Sequence, residues 1–126
     1  MEDKKHKIIT QNRKARHDFE ILESFEAGLV LKGTEIKSIR ETGIGLQEAY
    51  VRVIKWELFL IGAFIATYRF GNVHNHEERA DRKLLMHRRE IRKIFEKVKE
   101  RGLTLVPLSL YLKNGRAKLS IGLGKG

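Results

Sequence analysis

The chain has 126 residues and no cysteine, so it is expected to form one domain on its own hydrophobic core, without disulfides or thiolate-bound metal. Its longest apolar run, Leu58 to Ala66, is too short to cross a bilayer as a helix. A formal net charge of +10, with 33% charged residues against a usual fraction of about 25%, favours a polyanion partner over a merely solubilising surface.

No phosphate-binding loop, dinucleotide glycine pattern, serine-hydrolase elbow or zinc-protease helix occurs. The expectation is therefore a soluble cytoplasmic binding protein, monomeric and not an enzyme, with no cofactor, no metal, no membrane and no small-molecule substrate.

Residues 1–7, MEDKKHK, are charged and expected to be disordered, after which Ile8 and Ile9 begin an edge strand or pack as a lid. NRKARH, Asn12 to His17, concentrates cations. It reads either as a solvated arm or as a phosphate-contacting segment, with Arg13, Lys14 and Arg16 supplying charge and Asn12 able both to donate and to accept.

Alternation from Phe19 to Ser24 predicts a strand, Gly28 a tight turn, and Leu29 to Lys32 a second strand. Gly33 then stops the strand, Thr34 is placed to cap a helix carrying Ile36 and Ile39 on one side, and Gly43 ends it. Glu26 sits beside the predicted turn. It is either a hydrated surface carboxylate or an acceptor for base amino groups and ribose 2′-hydroxyls.

Two hydrophobic strands follow, Tyr50 to Ile54 and Leu58 to Ala63, joined at Lys55-Trp56. Trp56 there caps one end of the core or offers a face to a base. Residues 69–81 lack periodicity and read as a mobile loop, and its His74 and His76 have no obvious third partner for zinc. RKLLM reads as extended, so Leu84, Leu85 and Met86 cannot all point inward. A helix then starts at His87, with Ile91, Ile94, Phe95 and Val98 forming its apolar stripe and mixed charges on its outer face giving i,i+4 pairs.

Asn114-Gly115 is a strong two-residue hairpin signal and fixes a register from Lys113 opposite Arg116 down to Leu108 opposite Ile121. One face of that hairpin is apolar. The other carries Ser109, Tyr111, Lys113, Arg116, Lys118 and Ser120, an expected RNA-facing surface, although Tyr111 beside Lys118 also fits ordinary ring packing. Pro107 lacks an amide and belongs at a bulge or sheet edge. The whole predicts a mainly β fold with helices, α+β in class. It is an antiparallel barrel of about six strands, closed or nearly so, with two to three helices.

In this order and at these separations, the segments NRKARHDF, FEAGLVLKGTEIKSIR, RKLLMH and TLVPLSLYLKNGRAK resemble the small protein B (SmpB) family, bacterial partners of transfer-messenger RNA. The resemblance covers about Ile8 to Gly126. It implies an oligonucleotide-binding-type barrel that holds the tRNA-like domain of transfer-messenger RNA near its elbow and enters stalled ribosomes for trans-translation. It also places Asn12, Glu26 and Leu85 at positions the family uses against RNA. The RNA-facing set is then Asn12, Arg13, Lys14, Arg16, His17, Glu26, Lys83, Leu85, Tyr111, Lys113, Arg116 and Lys118. Lys55-Trp56 departs from the family's usual Asn-Gly, and Thr67 and Glu78 stand where proline is frequent. Family members carry a basic tail beyond the position of Gly126, so residues 1–126 alone are expected to bind RNA without licensing accommodation on the ribosome. A general single-strand-binding barrel, which needs exposed aromatic platforms, and a structural ribosomal protein are the alternatives.

Overall fold

The computed structural model describes residues 6–71 and 74–126. The elements follow as β1 (His6–Gln11), α1 (Arg13–Asp18), β2 (Glu20–Leu29), α2 (Gly33–Thr42), β3 (Tyr50–Ile54), β4 (Glu57–Ile61), β5 (Arg82–Leu85), α3 (Arg88–Arg101), β6 (Thr104–Lys113) and β7 (Arg116–Lys125). Of the segment expected to be disordered, His6 and Lys7 lie in β1, while residues 1–5 fall outside the described residues.

All seven strands belong to one antiparallel sheet in the order β1-β6-β7-β2-β5-β4-β3. The mainly β architecture with three helices is as expected, but the sheet is open rather than a closed six-stranded barrel. β3 comes alongside β6. It forms no ladder there, because β1 already occupies one edge of β6 and β7 the other. The N-terminal strand thus takes the hydrogen bonds that closure would have needed.

One face of the curled sheet, with Leu58, Leu60, Leu84, Leu110, Leu119, Ile121 and Leu123, packs with Ile39 of α2 and Ile91 and Ile94 of α3 into the main core. The other face is covered at one end. There α1 presses Ala15 against Val106 and Leu108, helped by Phe19 and Ile21. Two glycines make that approach possible, since a Cβ on Gly122 would meet Leu108 at 3.0 Å and one on Gly124 would meet Phe19 at 3.0 Å.

The tight turn predicted at Gly28 does not form, and β2 runs through it. Gly28 pairs on one side with Lys118 and on the other with Leu85, so ladders on both edges hold it extended. Of the predicted second strand, Leu29 to Lys32, only Leu29 lies in a strand, as the last residue of β2. Thr34 is not the cap of α2 either. Lys32 occupies that position, and the Glu35 carboxylate reaches back to accept from its backbone amide at 2.8 Å. Gly43 ends the helix at φ 79°, as predicted.

Both two-residue hairpins form. Asn114 and Gly115 have φ 52° and 79°, and Lys55 and Trp56 adopt φ 51° and 64° without the residue types that favour such angles. The β6–β7 register is as predicted from Lys113↔Arg116 to Ser109↔Ser120. Beyond that an irregularity at Leu108 brings Pro107, not Leu108, opposite Ile121. The bulge expected for the proline is present, but β6 is not an edge strand.

The segment after β4 is fastened rather than loose where it is described. Arg82, 3% exposed, donates to Glu35 at 2.5 Å and to the carbonyls of Ala63, Glu77, Glu78 and Ala80 at 2.9–3.2 Å. His76 is buried too. Its Nε2 faces the carbonyls of Ile65 and Ala66 at 3.0 Å, which only accept, so Nε2 carries the proton, and Nδ1 meets Thr34 Oγ1 at 2.9 Å. This histidine is a structural tie.

Candidate nucleic-acid interface

Directly opposed residues in an antiparallel ladder share a face. Glu26 opposes Ser120, which opposes Ser109; Leu85 opposes Gly28, which opposes Lys118, which opposes Tyr111. These residues, with Lys113 and Arg116, therefore lie on the face turned away from the main core. α1 covers one end of the same face. Its Arg13, Lys14, Arg16 and His17 are all exposed. Lys14 and His17 flank Asp18 at 3.5 and 3.2 Å, and the His17 hydrogen bond, followed by the Lys14 charge, holds the Asp18 carboxyl below its usual range. Arg13 and Arg16 take no part in that small network. The charge segment read from sequence is thus a helix that rims the open sheet face.

At the opposite end the strands frame a shallow recess of about 420 Å³, lined by Glu26, Gly28, Leu85, Met86, His87, Glu90 and Lys118. Of the two leucines of RKLLM, Leu84 is 1% exposed and Leu85 54%, so the strand's alternation spends one on the core and presents the other beside Glu26. Lys83 follows the same outward parity. It pairs with Glu57 at 2.7 Å, and that bond, the Lys83 charge and the more distant Arg88 keep the Glu57 carboxyl below its usual range.

Glu26 is not beside a turn but in mid-strand, braced on one oxygen. Oε2 accepts from the Tyr111 hydroxyl and lies 3.9 Å from Lys113 Nζ. The opposed cations at the end of β6–β7 therefore have a carboxylate nearby, which moderates the repulsion expected of that pair. Tyr111 differs from expectation. It is 8% exposed, with His6 of β1 stacked on its ring at 4.7 Å, so it is a strut for Glu26 rather than an open platform. Burial, then the hydrogen bond and charge of Glu26, push its phenol well above the usual tyrosine range.

Asn12 is 5% exposed and fully engaged within the chain. Its Nδ2 donates to Pro107 O at 2.9 Å and Leu46 O at 3.2 Å, and its Oδ1 accepts from Ala15 N at 3.3 Å as the cap of α1. It pins the helix to the bulge of β6. The other aromatic candidate, Trp56, lies away from this face with its ring edge-on to Phe95 at 5.3 Å.

Sequence reasoning missed the Arg82–Glu35 pair, although parity carried a signal: in RKLL, Arg82 shares its side with Leu84 and must point inward. It also missed His6 and the 55%-exposed Ile8, which oppose Lys113 and Tyr111 and extend this face to the sheet edge. Only the pairing of β1 with β6, invisible to periodicity, places them there.

The family model described as SmpB protein matches residues 9–126. The chain is 62% identical over 122 residues to the SsrA-binding protein of Protochlamydia amoebophila, covering 97% of this chain and 80% of that one. To the SsrA-binding protein of Carboxydothermus hydrogenoformans it is 53% identical over 120 residues, 95% of this chain and 80% of the relative. A solved structure described as "tmRNA-SmpB: a journey to the center of the bacterial ribosome" superposes with a TM-score of 0.75 at 46% identity, over 93% of this chain and 82% of the other.

Proposed function

The chain belongs to the SmpB protein family, and on that premise we propose that it binds the tRNA-like domain of transfer-messenger RNA and carries it to stalled bacterial ribosomes for trans-translation. The observation that carries this reading is that one open sheet face carries the α1 cations at one end and, towards the other, Lys113, Arg116 and Lys118 with Glu26 and Leu85. The cations supply phosphate attraction, which is strong but blind to sequence. Glu26 accepts from a base amino group or a 2′-hydroxyl, and Leu85 gives apolar contact to a base or sugar that leaves its stack. Lys83 adds charge at the rim. Asn12 and Tyr111 serve as supports, one placing α1 and the other holding the Glu26 carboxylate. With the Tyr111 ring covered by His6, the described residues of this face do not present the stacking platforms of a single-strand binder, which favours a folded RNA. The protein acts by binding, in the cytoplasm, and carries out no chemistry of its own.

The test is recovery and sequencing of the RNA that co-purifies with the native protein, followed by competition. Enrichment of transfer-messenger RNA, and displacement by a folded tRNA-like RNA but not by an unstructured oligonucleotide of equal length, is the expected result. Retention of bulk ribosomal RNA alone, or equal displacement by both competitors, contradicts the reading.

A further inference from the structure

Beyond the face described above, a cluster of cations lies on the first two turns of α3. Arg88, Arg89, Arg92 and Lys93 are all exposed and line a depression of about 510 Å³, with Glu96 as its only carboxylate. Sequence alone suggested a solvated helix face laced by i,i+4 pairs of opposite sign. Among the described residues no salt bridge within α3 forms, and its one ion pair is Lys97 reaching Glu23 of β2 at 2.7 Å.

The arrangement is unfavourable for the helix itself. Arg88 with Arg92 and Arg89 with Lys93 are like charges at i,i+4, which destabilises the helix. Arg88 and Arg89 also occupy the first turn, where the helix dipole disfavours cations. Glu90 offsets little of this at the depression, since it lines the Glu26–Leu85 recess instead. Arg92 is held in place from outside the helix. Its guanidinium lies 5.1 Å over the Trp56 ring, and Trp56 projects from a turn whose two residues have positive φ. A strained turn thus presents a ring that orients a cation which its own helix would rather be without.

The patch is also continuous with the recess, because His87 and Glu90 line the recess and Arg88 and Arg89 follow His87 directly. From these observations we infer that the Arg88–Lys93 face of α3 is a second RNA-contacting surface. It grips the phosphate backbone of the same folded RNA where that RNA runs past Leu85. The inference rests on the proposed function of the sheet face. A phosphodiester backbone suits it because the cations are exposed and mutually repelling and outnumber the single carboxylate that lines the depression with them.

The experiment compares three proteins in a salt titration of binding to a folded tRNA-like RNA: the parent, the variant Arg88→Gln/Arg89→Gln/Arg92→Gln/Lys93→Gln, and Glu26→Gln. The fourfold variant is expected to bind on the order of tenfold more weakly or worse near 0.1 M salt, with a log–log salt slope shallower by about 2 to 3, as for two to four lost phosphate contacts. Its thermal midpoint should stay close to the parent's, since the repulsion relieved offsets the lost Arg92–Trp56 contact, and this separates lost contact from lost fold. Glu26→Gln should weaken binding with the slope unchanged. If the fourfold variant keeps the parent's affinity and slope while Glu26→Gln is weakened, the α3 surface does not touch RNA, whether it meets an acidic protein or only solvent. If neither variant differs from the parent, the sheet-face reading has failed and takes this inference with it.

Discussion

Replacing Glu26 with glutamine sets two forces against each other. The Glu26 side chain is 41% exposed, and its Oε2 lies 3.9 Å from Lys113 Nζ. If affinity were only cations against phosphates, removing the carboxylate would free Lys113 and tighten the complex by about 0.5 kcal/mol, the scale of an exposed ion pair. If the carboxylate instead accepts a hydrogen bond from RNA, its loss costs about 1.5–3 kcal/mol, as for bonds to charged groups. The net is a weakening of roughly 1–2.5 kcal/mol, about 5- to 70-fold in Kd, in a protein made more basic. Glutamine keeps an acceptor for the Tyr111 hydroxyl, so the strut stays. Fluorescence anisotropy with a folded tRNA-like RNA at fixed salt reads the change. An unchanged or tighter complex refutes the role given to Glu26.

Further expectations concern the supports of that face. Arg82→Ala strands the buried Glu35 carboxylate and four carbonyls, and should cost about 3–5 kcal/mol in urea unfolding, whereas Arg82→Met with Glu35→Leu should recover much of the loss. Equal losses in the single and double variants would contradict a burial penalty. Tyr111 gives an alkaline signature. Its phenol has a raised pKa in the folded state, so below about pH 10 it contributes no pH dependence. Above that the unfolded chain loses the proton which the folded chain keeps, and stability should fall as pH rises, less steeply in Tyr111→Phe. Indistinguishable slopes in the two proteins would count against it. At the β3–β4 turn, Lys55→Asn places a residue tolerant of positive φ at the 51° position and should raise the unfolding free energy from urea titration by up to about 1 kcal/mol, while a drop would mean that the turn is not strained.

What could be read in advance follows from how local each signal was. Asn114-Gly115 demands two positive φ values, so the turn and five pairs of register beyond it were legible, and the alternation of RKLL told Leu84 from Leu85. Gly28 misled because glycine marks both turns and crowded strand centres, and only the ladders to β5 and β7 decide between them. The N-terminal strand was legible as a possible edge but not as the piece that blocks closure, since its partner lies about a hundred residues on. Asn12 and Tyr111 looked like ligand contacts because polar and aromatic side chains do so in a string. Their burial depends on β1, α1 and the Leu108 bulge meeting in space. The charge of α3 was legible as composition but not as a patch, because the Trp56 turn that orients Arg92 is remote in sequence.

The central claim is that a folded RNA lies on the face shared by α1 and the outer side of β2, β5, β6 and β7. Backbone amide shifts recorded while the protein is titrated with a folded tRNA-like RNA test it most directly. The account predicts the largest changes along Arg13–His17, at Glu26 and Leu85, and from Lys113 to Lys118. Changes centred instead on Tyr50, Arg52 and Ile54 of β3, with α1 and Glu26 silent, would contradict it.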